Sequence, residues 1–184
     1  MTKTSSLNNI ICVILLWILL PGVGQADDIV ELPGYAFKYS VETSASKATI
    51  WRLWEDVENW KKYDTVLQYS YLKDDAEFEA GAIGYIKAKG APRTRFELIK
   101  VNKPDSFVES LKLPLFNSLL LKRYFEVNEA GKTTFTHEIE FKGPLRWLMY
   151  ALIGGTFKKE TPLVMGRLKD VAEMEELEEQ EESE

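Results

Sequence analysis

Short segments of alternating apolar and polar residues follow one another between residues 65 and 142, and glycine, proline or aspartate separates them. This period of two is typical of strands that bury one face, and it constrains the fold more than any other feature. The predicted strands are 66–73, 82–89, 93–102, 106–113, 119–128 and 132–142. Because the turns are short, successive strands are expected to pair antiparallel.

A seventh strand and two short helices are predicted ahead of this series. Alternating aromatic and polar residues predict a strand from about 35 to 43. Ser44 or Ser46 can then cap a first helix whose apolar side carries Trp54. Asp56 can cap a second helix. Two short helices directly after one strand are an uncommon order, which makes the order informative.

One long amphipathic helix is predicted after the sheet. Apolar residues recur at three- and four-residue spacing from Leu145 to Val171, so this helix is expected to cover the concave sheet face. Gly154 and Pro162 predict a bend between them, which either follows the sheet's curvature or serves as a hinge. The predicted fold class is therefore α+β, a seven-stranded curved antiparallel sheet with two short helices after the first strand and a long C-terminal helix.

The order of these elements and several segments resemble a known superfamily. The segments are Val-Glu-Thr-Ser-Ala-Ser at 41–46, Ile-Trp-Arg-Leu-Trp-Glu-Asp at 50–56, Asn-Trp at 59–60, Gly-Ala-Ile-Gly at 81–84 and Gly-Pro-Leu at 143–145. Over residues 35–172 the chain is similar to the helix-grip fold of the START and polyketide cyclase/dehydrase-like superfamily (SRPBCC), which includes the birch-pollen allergen proteins. The resemblance implies a hydrophobic pocket, and it implies no catalytic residue because the superfamily shares a cavity rather than a reaction.

The N-terminal segment has the pattern of a secretory signal. Lys3 precedes an unbroken run of eleven apolar residues, Ile10 to Leu20, and small residues lie three and one before a cut after Ala26. The mature protein is therefore expected in the periplasm or outside the cell, and retention of the segment as an anchor is the alternative. Cys12, the single cysteine, lies in the apolar run, so the mature chain is expected to have no thiol or disulfide.

The acidic residues are unevenly distributed. The net charge is −6, yet residues 27–172 carry 22 basic and 21 acidic side chains, and residues 173–184 contain eight glutamates and no basic residue. The sequence therefore divides into a signal at 1–26, a ligand-binding domain at 27–172 and an acidic tail at 173–184. The tail is interpreted as a solvated helix end or as a docking segment, and its charge argues against a nucleic-acid partner.

Few chemical groups suited to catalysis or metal binding are present. With one histidine and no cysteine after the signal, thiol catalysis and zinc sites built from several Cys or His are excluded. The motifs Gly-x-Ser-x-Gly and His-Glu-x-x-His do not occur. The sequence therefore predicts no catalytic residue, metal or cofactor, and it favours a binding protein over an enzyme.

One polar row is predicted on the apolar face of the sheet. A three-residue loop at 129–131 sets Arg123 opposite His137, and a five-residue loop at 114–118 sets Glu109 opposite Arg123. A charge on such a face needs a partner. The row is interpreted as a self-contained ion pair, as an anchor for the polar end of a ligand, or as a place where His137 transfers a proton.

Apolar residues of the same strand parity are predicted to line the pocket around this row. They are Ile86, Phe96, Leu98, Phe107, Leu111, Phe125, Phe135 and Ile139 in the sheet, with Met149, Leu152 and Phe157 in the long helix. Gly84 and Ala88 are small and are expected to leave room. Each residue singly is either plain core or a ligand contact.

The hypothesis that these patterns favour is binding or carriage of a lipid or other apolar small molecule outside the cytoplasm. Its rival is a cyclase or dehydratase that acts on an apolar substrate in the same cavity. A third hypothesis is an interaction module whose core is filled by its own side chains. The apolar loop at 113–116 is expected to pack on the neighbouring helix, and transient contact with a membrane surface is the alternative. No oligomeric state is predicted.

Overall fold

The computed structural model describes residues 29–127 and 133–182. Within these residues the chain forms eight strands, two α-helices and two 3-10 turns. The strands are β1 (Val30–Leu32), β2 (Ala36–Glu42), β3 (Leu67–Leu72), β4 (Ile83–Ala88), β5 (Arg93–Asn102), β6 (Ser106–Leu113), β7 (Asn117–Val127) and β8 (Thr133–Lys142). The helices are α1 (Lys47–Glu55) and α2 (Arg146–Glu182), and the 3-10 turns are Val57–Lys62 and Lys73–Asp75. The predicted cut after Ala26 lies outside the described residues.

All the described strands form one antiparallel sheet in the order β1-β2-β8-β7-β6-β5-β4-β3. The predicted α+β class, the two short helices after a strand and the long C-terminal helix are confirmed. The sheet has one strand more than the seven predicted, because β1 pairs with the start of β2. β1 is three residues long, too short to show a period of two in the sequence.

α1 begins where the sequence predicts and packs its aromatic face on the sheet. The hydroxyl of Ser46 accepts a hydrogen bond from the backbone N–H of Thr49 at 3.2 Å, which caps the helix. Trp54 is 1% exposed. Asp56 does not cap the following turn through its side chain, since its carboxylate accepts the side-chain amide of Asn59 instead. That predicted cap is therefore wrong.

The register between β7 and β8 is the one predicted, and the register between β6 and β7 is not. Arg123 lies opposite His137. However, Glu109 lies opposite Leu121, because the β6–β7 connection has three residues rather than the predicted five. The tighter turn is made by Leu115 and Phe116, which both adopt positive φ, at 58° and 60°. A shift of two residues preserves parity, so the polar side chains still share one face.

α2 continues through Gly154, Gly155 and Pro162 as one helix of 37 residues, about 55 Å at the usual rise per residue. Its buried residues are Met149, Gly154, Thr161, Met165, Leu168 and Ala172. The predicted bend between Gly154 and Pro162 stays a prediction. Neither helix in the described part of the chain has an apolar stretch that would let it cross a membrane.

The acidic segment belongs to α2 as far as Glu182, and its carboxylates contact the start of α1. Glu173 accepts the backbone N–H of Ser44 at 2.8 Å, and Glu176 accepts that of Ser46 at 2.8 Å. Negative charge at a helix N-terminus is favourable because the first N–H groups lack partners within the helix. These bonds tie the C-terminal end of α2 to the rest of the domain.

Candidate functional site

A buried ion pair lies on the sheet face that α2 covers. Nη1 of Arg123 is 2.9 Å from Oε1 of Glu109, and the Glu109 side chain is 2% exposed. The pair is diagonal across β6 and β7, since Arg123 lies directly opposite Phe107. The guanidinium carbon is also 5.1 Å from the centre of the Phe107 ring and 5.3 Å from that of Trp60. Both the carboxylate and the aromatic faces therefore hold the cation.

His137 completes the predicted row on β8, opposite Arg123. It is 8% exposed. Its Nε2 atom and Oε2 of Glu109 are buried without a hydrogen-bond partner among the described residues, and so is Nε1 of Trp54. A buried polar atom that lacks a partner costs about 1–3 kcal/mol. The Arg123–Glu109 pair therefore leaves one atom of Glu109 and one of His137 available to a further partner.

Burial controls the protonation of these groups. It lowers the pKa of His137 well below 6.5, and the positive charge of Arg123 lowers it further. The imidazole is therefore neutral at neutral pH. Burial also raises the pKa of Glu109, although Arg123 opposes this shift. Tyr63, which is fully buried nearby, has its pKa raised by burial as well.

A small cavity lies between this row and α2. Its walls are Trp54, Tyr63, Arg123, Phe135, Thr136 and His137, with Val164, Met165 and Leu168 of α2 opposite them. The centre of a water molecule can move through about 10 Å³ of this space, enough for about one water. Sites for drug-sized ligands are typically about 300–1,000 Å³. This cavity therefore admits a lipid-sized guest only if α2 moves away from the sheet.

Most of the predicted lining residues belong to a packed core. Those that are buried are Phe96, Leu98, Phe107, Leu111, Phe135, Ile139 and Met149, and those that are partly buried are Ile86, Phe125, Leu152 and Phe157. Of the predicted set, the cavity brings together Arg123, His137 and Phe135. The expectation that Gly84 leaves room is wrong, because a Cβ there would lie 2.1 Å from the Phe96 ring.

Several of the cavity walls were not predicted as site residues from the sequence. Trp54 was expected only on the apolar side of the first helix and Tyr63 was not singled out, although both aromatic side chains line the cavity beside the polar row. Val164 and Leu168 belong to the apolar stripe of α2, and Met165 lies beside them. Helical spacing identifies such a stripe but not which turn of the helix lies over Arg123.

Comparisons with known proteins agree with this architecture. The model of the family described as polyketide cyclase / dehydrase and lipid transport matches residues 36–173. No curated protein matches the chain.

Solved structures share the fold at low identity. The protein MLL2253 from Mesorhizobium loti is 14% identical, with a TM-score of 0.57 over 73% of this chain and 94% of that one. The di-domain ARO/CYC BexL from the BE-7585A biosynthetic pathway is 15% identical, with a TM-score of 0.57 over 75% of this chain and 50% of that one. Ara h 8.0201 is 11% identical, with a TM-score of 0.53 over 72% and 96%.

At these identities the solved structures establish the fold alone. The family match covers strands β2 to β8, the helical segments between β2 and β3, and most of α2. The chain therefore belongs to the polyketide cyclase/dehydrase and lipid transport family, and its fold is the helix-grip fold that the sequence resembles.

Proposed function

We propose that this protein binds a lipid or other apolar small molecule between the sheet and α2, and that it stores or carries this ligand. The observation that supports the proposal best is the cavity beside the Arg123–Glu109 pair, where His137 Nε2 is buried without a partner. Natural cores seldom keep such atoms without a reason. A ligand with a polar end would supply the missing partners.

The polar row suits a hydroxyl or carboxyl group at the end of an apolar molecule. A ligand hydroxyl can donate to Oε2 of Glu109, and the guanidinium of Arg123 can donate to a ligand oxygen. Apart from Thr136, the remaining walls are aromatic or aliphatic, so they favour an apolar body. The row would orient the ligand, and burial of apolar surface would supply most of the affinity.

Admission of the ligand needs a displacement of α2, and this helix has features that suit one. Met149 and Met165 lie on its buried face, and methionine adapts to changing shapes more readily than branched side chains. Pro162 removes one backbone hydrogen bond within the helix. We propose that the middle of α2 moves while the glutamate contacts near residue 176 keep its end attached.

We also propose the compartment in which the protein acts. The N-terminal segment, with Lys3, the apolar run and the cut after Ala26, has the form of a secretory signal. The protein would then work in the periplasm or outside the cell. Mass measurement of the protein from cell fractions tests this, since removal of residues 1–26 is expected and an intact N-terminus in the cytoplasm would contradict it.

A second candidate is an enzyme of the cyclase or dehydratase type acting on an apolar substrate in the same cavity. The observation that favours it is His137, whose neutral ring has an unpartnered nitrogen at the cavity. A neutral imidazole can accept a proton from a substrate. Arg123 would then stabilise the negative charge that develops.

Native mass spectrometry of the protein purified without detergent tests the leading proposal. A co-purified lipid or apolar small molecule is expected. The double variant Glu109→Leu/Arg123→Leu should fold, because it leaves no unpaired charge, and should lose ligands with a polar end. The control is Lys122→Leu, which removes a cation from the opposite face of the same strand and should retain the ligand. Equal occupancy in both variants would refute the anchoring role.

A further inference from the structure

The connection between β6 and β7 places apolar side chains in solvent. Phe116 is 97% exposed and Leu115 is 55% exposed, so the expected packing of this segment on the neighbouring helix is wrong at its end. Trp147, in the first turn of α2, is 53% exposed. These three residues are called the apolar tip below.

The two parts of the apolar tip are joined by buried hydrogen bonds. Asn117 is 2% exposed, and its side-chain amide donates to the backbone oxygens of Pro114 and Leu115 at 2.8 and 3.0 Å. Its side-chain oxygen accepts the backbone N–H of Leu145 at 2.9 Å. Asn117 therefore links the β6–β7 turn to the residue that precedes α2.

The backbone of the turn is unfavourable for the residues it contains. Leu115 and Phe116 have φ of 58° and 60°, a region that costs a residue with a Cβ about 1–2 kcal/mol. Asn-Gly would form such a turn without this cost. Because Phe116 is almost fully exposed, core packing does not offset the strain. Strain held at an exposed apolar residue indicates a binding role.

The two chain segments that carry the apolar tip are basic. Segments 110–118 and 141–149 contain Lys112, Lys142 and Arg146 and no acidic residue. Lys142 also pairs with Glu140, which lies one step along β8. At the other end of α2, segment 173–182 contains seven glutamates and no basic residue. The two ends of this helix, about 55 Å apart, therefore differ in the sign of their charge.

We infer that the apolar tip docks the protein onto an anionic lipid bilayer. Phe116 and Trp147 enter the interfacial layer, where aromatic side chains are favourable, and the three cations face the negative headgroups. The acidic end of α2 is repelled, which orients the helix away from the surface. This inference goes beyond the proposed cavity function and does not depend on it.

Sedimentation with vesicles tests the inference. The full chain is mixed with vesicles of phosphatidylcholine alone or of phosphatidylcholine with phosphatidylglycerol, and stronger binding to the anionic vesicles is expected. The variant Leu115→Asn/Phe116→Gly relieves the backbone strain, so its Tm should rise while its vesicle partition coefficient falls about tenfold. A Tm that rises with unchanged binding would overturn the inference.

The control removes two exposed apolar side chains from the acidic end of α2. Met174 and Leu177 are 56% and 60% exposed, and Met174→Ser/Leu177→Ser should leave binding unchanged. Any contribution of residues 1–26 to vesicle binding is the same in every variant. If the wild type self-associates in sedimentation velocity and the turn variant does not, the tip binds a second copy and the inference is wrong.

The fluorescence of Trp147 tests contact with the bilayer without a change to the β6–β7 turn. Trp51, Trp54 and Trp60 are buried, so lipids brominated in the acyl chains should quench Trp147 more than these three. Trp17 lies in the N-terminal apolar run, so the measurement uses the Trp17→Phe protein. Quenching that disappears in Trp17→Phe/Trp147→Phe is expected, and quenching that persists unchanged in this double variant would count against docking through the tip. Ligand occupancy in the same samples separates a failure of docking from a failure of the cavity proposal.

Discussion

Two clusters of polar side chains lie on opposite faces of β7 and β8. On the inner face Glu109, Arg123 and His137 lie under α2, with two polar atoms unpartnered. On the outer face Lys122 of β7 lies 2.5 Å from Glu138 and 3.1 Å from Glu140 of β8. Arg123 and Lys122 are neighbours in the chain, and successive side chains of a strand point to opposite faces. One residue step therefore separates the buried Arg123–Glu109 pair from the solvent-screened pairs of Lys122.

The comparison shows that burial, rather than the number of charges, determines how much each group depends on its partner. The Glu109 side chain is 2% exposed, whereas the Lys122 side chain is 32% exposed. Water screens the outer pairs and replaces their partners when they break. Water does not replace the partners of the inner atoms, so removal of one partner lowers the free energy of unfolding strongly.

The largest expected effect comes from breaking the inner pair. Glu109→Leu leaves the guanidinium of Arg123 buried without its carboxylate and should lower the free energy of unfolding by about 3–5 kcal/mol. The double variant Glu109→Leu/Arg123→Leu should recover most of this loss, because no unpaired charge remains. Urea denaturation measures both. A single variant as stable as wild type would show that the pair is not buried.

The next effect concerns pH. Because the pKa of His137 in the folded state lies below its ordinary value of 6.5, the unfolded chain binds a proton first as pH falls. Stability is therefore full above about 6.5 and is lost below it, by up to about 1.4 kcal/mol for each pH unit until the folded pKa is reached.

The variant His137→Gln should remove this contribution. Unfolding free energies of wild type and His137→Gln, measured from about pH 7 to about pH 5, should therefore diverge as the wild type loses stability. The shifted carboxyls Glu109 and Asp64 are present in both proteins, so the comparison isolates the imidazole. Parallel curves would mean that His137 is protonated as easily in the folded protein as in the unfolded chain.

A smaller effect is expected where the partly exposed carboxylate of Glu176 accepts hydrogen bonds at the start of α1. Glu176 accepts the N–H of Ser46 and the hydroxyl of Thr49, so Glu176→Gln weakens a bond at the start of α1. The loss should be about 0.5–2 kcal/mol, the range for helix caps. Thermal unfolding measures it, and Glu178→Gln in the same helix serves as the control that should leave Tm unchanged.

The smallest effect is expected on the outer face. Lys122→Met removes the ammonium that bridges Glu138 and Glu140 and should cost about 0.2–1 kcal/mol. High salt should reduce this difference further, because it screens exposed charges. A loss as large as that of Glu109→Leu would erase the contrast between the two faces.

Much of the fold could be predicted because its signals are local. The strand boundaries, α1 and the opposition of Arg123 and His137 follow from alternation and loop length. The β6–β7 register could not be predicted, since leucine and phenylalanine rarely adopt the positive φ that Leu115 and Phe116 have in this turn. β1 was missed because three residues carry no period.

The candidate site was predicted less completely. The row of Glu109, Arg123 and His137 follows from parity, which survives an error of two residues in register. The contacts of Glu173 and Glu176 with α1 join segments about 130 residues apart in the chain, and sequence spacing cannot predict such contacts.

The sequence by itself determined the order of elements, the polar row and the excess of acid at the C-terminal end. The elements and the polar row follow from the spacing of apolar and polar residues, and the acidic excess follows from composition. Both are properties of the chain itself. Only the tertiary structure decided that the cavity holds about one water, that two atoms of the row lack partners and that Phe116 lies in solvent. The reason is that volume and burial depend on how α2 meets the sheet, and thus on side chains distant in the sequence that must fill space together.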